Sequence, residues 1–328
     1  MNGDFEDLQI KERKFVVTGG AGFIGSHIID RLLDEGAREI VILDTMVRGG
    51  LHNIAHALKD PRCNHYIADI RFPHEIDQHF EDCDGCFHLS TLRITQCADE
   101  PRRALEVMVD GTFNVLEACV KHNVEKIIFS SSASVYGMAD EFPTQEKHHP
   151  WNNDTLYGVT KTCGEGLLKT FKAMYGLNWV ALRYFNVYGP RMDVHGKYTE
   201  VFIRWLECFE RGDTPKIFGD GQQTMDFIYV EDIADANILA MKSDVEDGAF
   251  NIASGSETSL SDLLEALREA YEGETKNPDF LPERSVNPVP RRLADTQAAA
   301  EQIGFTAETS LVDGLKNLIE WRNSLVRK

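Results

Sequence analysis

Short, wholly apolar runs alternate with longer segments of helical period through the first half of the chain. FVVTGG, EIVILD, CNHYIAD, GCFHLS, KIIFSSS and NWVALRYFN read as strands. Between them, SHIIDRLLDEG, the segment from Pro101 to Asn123 and the segment from Leu156 to Tyr175 carry apolar residues at helical spacing. Strands that are apolar on both faces, separated by helices, predict right-handed crossovers and a parallel sheet covered on both sides. After Arg191 the texture changes. MDVHGKYTE reads as a loop, VFIRWLECFERG as a helix, and PKIFGDGQQTMDFIYV as a hairpin-like run leading into a helix. AFNIASG is one more strand, SLSDLLEALREAY a helix opened by a serine cap, and LVDGLKNLIEWRNSL a last helix.

The first strand runs straight into TGGAGFIG. Gly19 suits a tight turn, Gly22 lets backbone approach a pyrophosphate, and Gly25 lets helix and strand pack closely. The second strand ends on Asp44, where an acid meets an adenosine ribose diol and repels a 2'-phosphate, favouring NAD over NADP. Asp69, beyond the third strand, sits where a side chain reaches an adenine amino group, or serves as an ordinary loop acid. The expected fold is therefore α/β, a Rossmann-type doubly wound parallel sheet with a smaller C-terminal α/β lobe. Residues 1–186 form the NAD-binding part, with 226–252 returning to it, and 187–225 with 253–328 form the substrate-binding lobe. That lobe should close over the C-terminal edge of the sheet, where open α/β sheets bind ligands.

Composition narrows the classes. With 328 residues, 42% of them hydrophobic, the chain can bury a large core and a companion. A formal net charge of -19 argues against nucleic-acid binding. No secretion signal and no apolar stretch of membrane-spanning length is visible, so a cytoplasmic protein is expected. Seven cysteines in a chain of this size do not suggest a disulfide framework. Cys83 and Cys86 form a CxxC pair without a second pair at zinc spacing, and strand packing explains them better. His88 is as readily structural as cofactor-facing. His148 and His149 read as polar surface, Cys163 as turned away from the chemistry, and Asp226, Glu231 and Asp232 as lacking a metal pattern. No metal is expected.

Tyr157 and Lys161 stand four residues apart in LYGVTK, on one face of a helix. A phenol is a poor base near neutrality, and a neighbouring ammonium favours its phenolate. The serines of IFSSSASVYG should emerge at the same sheet edge and share a proton with a substrate oxygen.

With TGGAGFIGSH, SSSASVYG, LYGVTK, LRYFNVYGPR, GDGQQTMDFIYVEDIA and RRLAD in this order, the chain resembles the extended short-chain dehydrogenase/reductase family, in its nucleotide-sugar epimerase and dehydratase branch. The resemblance implies Ser132, Tyr157 and Lys161 as the catalytic set. It implies NAD held by Gly19, Gly22, Phe23, Ile24, Gly25, Asp44, Asp69, Ile70, Leu89, Arg93 and Ser130 along with Tyr157 and Lys161. It implies a nucleotide sugar met by Ser132, Asn186, Arg191 and Arg292, and a homodimer built on the two long helices.

Within that branch, dehydratases and decarboxylases resemble SSTDEVYG or SSTSEVYG, with an acid near the serine or threonine. Here Ala133 and Ser134 follow Ser132. The reaction needing no second acid is reversible oxidation at C4 of the sugar and return of hydride to the other face, so C4 epimerisation of a UDP-hexose is expected. Two departures stand out. Met225 occupies the place of a diphosphate-binding arginine, a loss that keeps a sugar or polyol dehydrogenase open as the alternative. Met108 stands where relatives place an asparagine that ties active-site backbone together. A dehydratase, a decarboxylase and a non-catalytic NAD-binding protein are the remaining readings.

Overall fold

The computed structural model describes residues 9–193, 201–282 and 290–326, so most of the loop expected in MDVHGKYTE lies outside the described residues. Its frame is a seven-stranded parallel sheet. Strands β1 (Lys14–Thr18), β2 (Glu39–Asp44), β3 (Cys63–Ile67), β4 (Gly85–His88), β5 (Lys126–Ser132) and β6 (Asn178–Tyr184) come from the first half of the chain. Four short strands follow: β7 (Asn186–Tyr188), β8 (Lys216–Phe218), β9 (Thr224–Met225) and β10 (Phe227–Tyr229). β11 (Asp247–Ile252) then returns to the large sheet beside β6, and β12 (Thr258–Ser259) and β13 (Asp279–Leu281) complete the set. The sheet order β3-β2-β1-β4-β5-β6-β11 reverses direction between β1 and β4, and that switch point opens the crevice.

The apolar runs are explained by burial on both faces. Phe15 and Val17 of β1 pack with Ile28, Leu32 and Ile233 on one side. Val16, between them, faces the opposite layer with Ile127, Leu116 and Leu168. Cys83, Cys86 and Cys119 belong to this second layer, so the CxxC pair is core packing, and all seven cysteines are free thiols. A third cluster around Tyr188, Trp205, Leu206, Leu264 and Leu315 forms the core of the later segments.

Local signals end the helices where expected. Thr155 Oγ1 accepts from Gly158 N at 3.1 Å and opens the Leu156–Tyr175 helix, which stops at left-handed Gly176. Ser259 caps Leu260–Ala270 in the same manner, accepting from Asp262 N at 3.0 Å. Two expectations are corrected. The helix expected from Pro101 to Asn123 is interrupted by a wide π turn at Glu106–Asp110, centred on Met108. The run from Pro215 to Val230 is not a hairpin. β8 pairs in parallel with β13, β9 antiparallel with β12, and β10 in parallel with β7. Left-handed turns at Gly219 and Gly221 send these strands to separate partners.

Candidate active site

At the switch point, the turn after β1 leaves no room for side chains. Gly19 has φ +69°, and a Cβ there would lie 2.8 Å from Ser90 N. A Cβ on Gly25 would lie 2.6 Å from the Gly19 carbonyl oxygen, so the helix Phe23–Asp34 begins hard against the loop. Gly22 caps that helix without a side chain, which leaves bare backbone N–H groups at a helix N-terminus, a natural pyrophosphate seat. The side chains of Phe23 and Ile24 pack into the third apolar cluster and anchor the helix start. Asp44 closes β2 beside them. Its carboxylate accepts from Ala21 N at 3.1 Å and Met46 N at 2.8 Å. Burial raises the carboxyl above its usual range, with those two backbone bonds and nearby His65 and Arg48 opposing. A bare loop, a helix N-terminus and a strand-end acid fit the pyrophosphate and ribose of NAD.

The other expected cofactor residues lie past the ends of β3 and β4 with more varied engagements. Ile70 and Leu89 are buried just past β3 and β4. Asp69 is clasped by Arg71, with Oδ2 2.6 Å from Nη2. Burial works against its charge, but Arg71 overrides it and the carboxyl sits below its usual range. Arg93 forms an ion pair with Asp193 at 3.1 Å. Arg48, absent from the sequence-based set, reaches from the loop after Asp44 toward Arg93, Asp193 and Tyr157. Desolvation first and then Arg93 lower its pKa. Its place four residues beyond the strand-end acid was the available signal.

β5 and the Leu156–Tyr175 helix bring the proposed chemistry together. Lys161 is buried, and its Nζ donates to the Ser130 carbonyl at 2.5 Å and lies 5.8 Å from the Tyr157 ring centre. Desolvation pushes this ammonium down to about 7, with Cys97 and Glu165 pulling the other way. The Tyr157 phenol is raised by burial, while hydrogen bonds with Ser132 and Thr91 and the charge of Arg48 favour the phenolate. Ser132 Oγ also accepts from Ser134 N at 3.1 Å, which orients the hydroxyl. Thr91 is a second residue that the sequence reading missed. His88 lies beneath, hydrogen-bonded between Thr18 Oγ1 at 2.7 Å and Thr112 Oγ1 at 3.1 Å. Burial lowers it to about 3, with Lys161 adding to the effect, so it is a neutral structural bridge.

The substrate-side residues divide. Asn186 is held by the Asp226 carbonyl, which accepts both its backbone N–H (3.1 Å) and its Nδ2 (3.0 Å). Asp226 itself is fully buried and accepts from Ser254 N (2.9 Å), Ser254 Oγ (2.7 Å), Gly255 N (3.1 Å) and Ala294 N (3.3 Å). This joins the segment bearing Arg292, whose backbone N–H also reaches the Thr224 carbonyl at 2.9 Å. Burial lowers the Arg292 guanidinium, with the charge of Tyr157 opposing. Arg191, by contrast, turns away to Asp30 on the glycine-loop helix at 2.6 Å, beside Pro190 and His27. It is therefore not brought together with Tyr157 and Arg292. Its left-handed backbone, φ +67°, redirects the chain there.

Both methionine departures have local accounts. Met225 packs against the third apolar cluster from β9. Thr160 Oγ1 donates to the Tyr157 carbonyl at 2.8 Å and lies 3.4 Å from Met108 Sδ, which accepts weakly from Cys97 Sγ at 3.6 Å. A thioether and a thiol thus fill the place of the amide. His148, expected at the surface, has only 3% of its side chain exposed and lies edge-on to Tyr136.

A parallel sheet with a glycine loop at its switch point and a Tyr-x-x-x-Lys pair beside a strand-end serine defines a nicotinamide-dependent enzyme of the short-chain dehydrogenase/reductase kind. More narrowly, the chain belongs to the NAD dependent epimerase/dehydratase family, whose profile matches residues 15–253. It is 33% identical over 314 residues to the UDP-glucose 4-epimerase of Mycolicibacterium smegmatis, covering 93% of this chain and 97% of the relative. It is 32% identical over 328 residues to the UDP-N-acetyl-alpha-D-glucosaminuronate decarboxylase of Bacillus cytotoxicus, covering 94% and 98%. The UDP-N-acetylglucosamine 4-epimerase from Methanobrevibacter ruminantium, solved with UDP-N-acetylmuramic acid, superposes with a TM-score of 0.90 at 33% identity, covering 96% and 99%.

Burial of Lys161 has a pH signature. Its folded pKa of about 7 lies below the ordinary lysine value of 10.5, so the stability cost is complete below pH 7 and fades as pH rises toward 10.5. Lys161→Met should therefore raise the melting temperature of the cofactor-free protein most at pH 6, with the gain shrinking by pH 10. Thermal melts across that range check this, and a gain independent of pH would contradict it.

Proposed function

We propose that the protein is an NAD-dependent epimerase that inverts C4 of a UDP-linked hexose through a transient 4-keto sugar. NAD held by the glycine loop and Asp44 would supply reversible hydride acceptance at C4. Tyr157 takes the C4 hydroxyl proton through its phenolate and gives it back, while Ser132 donates a hydrogen bond to the same oxygen. Lys161 holds positive charge behind the phenol without touching the sugar. Arg292 and Asn186 hold the diphosphate, leaving the hexose free to turn about its phosphate linkage and present its other face. Asn186 is positioned through Asp226. The bare loop and Asp44 hold the cofactor.

One observation carries this reading over dehydration and decarboxylation. The turn after Ser132 has Ala133 and Ser134 where a second acid would stand, and Glu165, which accepts from neighbouring Ser131, is clasped by Arg183 at 2.6 Å. Removal of a proton next to the keto carbon, as dehydration requires, then has no free carboxylate to serve it at that turn.

The substrate-binding lobe of this reading comprises 187–225 and 253–328. The seven free thiols and the absence, among the described residues, of any helix long and apolar enough to cross a membrane support a site of action in the reducing cytoplasm. The Leu156–Tyr175 helix leaves Val159, Cys163, Gly166, Thr170 and Met174 in an exposed stripe, with Val159 49% and Met174 63% accessible. Phe113 is 40% accessible on the other long helix. This supports a homodimer formed by pairing these helices with a second copy.

Incubation with UDP-glucose or UDP-N-acetylglucosamine should yield the C4 epimer with no net NADH. Tyr157→Phe should lower kcat by about 10²–10⁴-fold while leaving NAD affinity nearly unchanged. Stoichiometric NADH, or full turnover by the variant, would overturn the mechanism. Arg292→Met should weaken substrate binding by roughly 10-fold or more, as loss of a charge-assisted contact predicts. KM from initial rates measures it. For the dimer, light scattering of Val159→Arg/Met174→Arg should give half the wild-type mass, and an unchanged mass would exclude this face.

A further inference from the structure

The segment between the serine turn and the Leu156–Tyr175 helix carries a cluster that the reaction above does not use. Asp140, His148 and His149 each bring one potential ligand atom within 4.8 Å of the others. Asp140 Oδ1 lies 2.7 Å from His148 Nε2, and Asp140 Oδ2 lies 3.9 Å from His149 Nε2. The two imidazoles lie at 33° with centres 4.6 Å apart.

The far side of His148 settles which nitrogen is available. Its Nδ1 lies 2.8 Å from the His149 carbonyl, and a carbonyl oxygen can only accept, so Nδ1 carries a hydrogen. Nε2 is then the atom turned to the cluster, where it lies within hydrogen-bond reach of Asp140 Oδ1 at 2.7 Å and of the Asp140 backbone N–H at 3.3 Å, contacts that a metal at Nε2 would replace. An imidazole that donates its remote N–H to a backbone carbonyl has the second-shell arrangement that orients metal-ligating histidines. Tyr136 further restrains the ring, edge-on with centres 5.8 Å apart at 88°. His149 Nδ1 accepts from Trp151 N at 3.3 Å, a bond that ligation through Nε2 gives up, and His149 and Asp140, 44% and 63% accessible, leave the remaining coordination positions to water.

We propose that Asp140, His148 and His149 form a site for a divalent transition-metal cation of the zinc class. Two imidazoles and one carboxylate are a donor set for zinc, cobalt or nickel, whereas calcium and magnesium seek oxygen. Bonds of about 2.0–2.2 Å place neighbouring ligand atoms roughly 3–3.5 Å apart, between the two separations observed. The site is a brace. It ties the start of the loop to its end, where Met138 and Asn152 already exchange two hydrogen bonds of 3.1 Å. Through Tyr136 it bears on the turn that carries Ser132, while remaining outside the reaction crevice.

The test uses full-length, tag-free protein stripped of metal with a chelator. Titration with cobalt, read by visible absorption, and with zinc, read by calorimetry, should show one equivalent per chain. His149→Asn and Asp140→Asn, both exposed positions, should each weaken zinc by at least 10-fold. Hydrogen exchange of residues 138–152 should slow on zinc addition in the wild type and not in the variants. Binding below one equivalent, or the same affinity in the His149→Asn/Asp140→Asn double variant, would overturn the proposal, because the other histidines would then account for the metal.

Discussion

One buried carboxylate holds the two halves of this molecule in a working relation. Asp226 has no access to water, so its charge is tolerable only while protein donors surround it. Those donors come from the segment after β11 and from the chain just beyond Arg292. Its carbonyl restrains Asn186, at the point where the chain leaves the large sheet. Cost enforces geometry here: any arrangement that separates these segments strands a charge in the interior. The crevice is consequently a product of mutual satisfaction more than of shape, and the backbone at Arg292 and Ala294 is fixed because Asp226 and the Thr224 carbonyl leave that segment little freedom.

Electrostatic economy explains the inside of the crevice. Two cations, Lys161 and Arg292, meet one phenol, and burial disfavours charge on all three. A phenolate between them reduces the cost of each. The same logic keeps His88 neutral, since a third cation beneath Lys161 would have no anion to meet. Glu165 does not neutralise Lys161 fully because Arg183 holds its carboxylate.

Much of this was legible in the residues. Glycines at 19 and 25 and the acid at 44 announced the cofactor crevice, because strand, loop, helix and acid must follow one another in sequence to meet in space. Tyr157 and Lys161 were legible because one helical turn separates them. Arg191 was not: its direction depends on a left-handed backbone and on Asp30, far off in the chain. The short strands from β8 to β13 were equally hidden, since two or three residues carry no period and their partners are remote. Thr91 lies on a loop, where neither spacing nor hydrophobicity signals direction, and Arg48 offered only its place four residues beyond Asp44. The burial of His148 depends on Tyr136, a contact that local polarity conceals.

The seventh strand carries a consequence for biosynthesis. β11 covers the edge of β6 only after roughly sixty further residues have been made, and an uncovered edge offers unpaired backbone to other chains. β6 is rich in apolar residues, including Trp179, Val180 and Leu182. A nascent chain emerging from the ribosome therefore passes through a stage with its dinucleotide crevice already encoded and an adhesive flank still open. Chaperone engagement during translation, or co-translational aggregation when it fails, should concentrate in that interval.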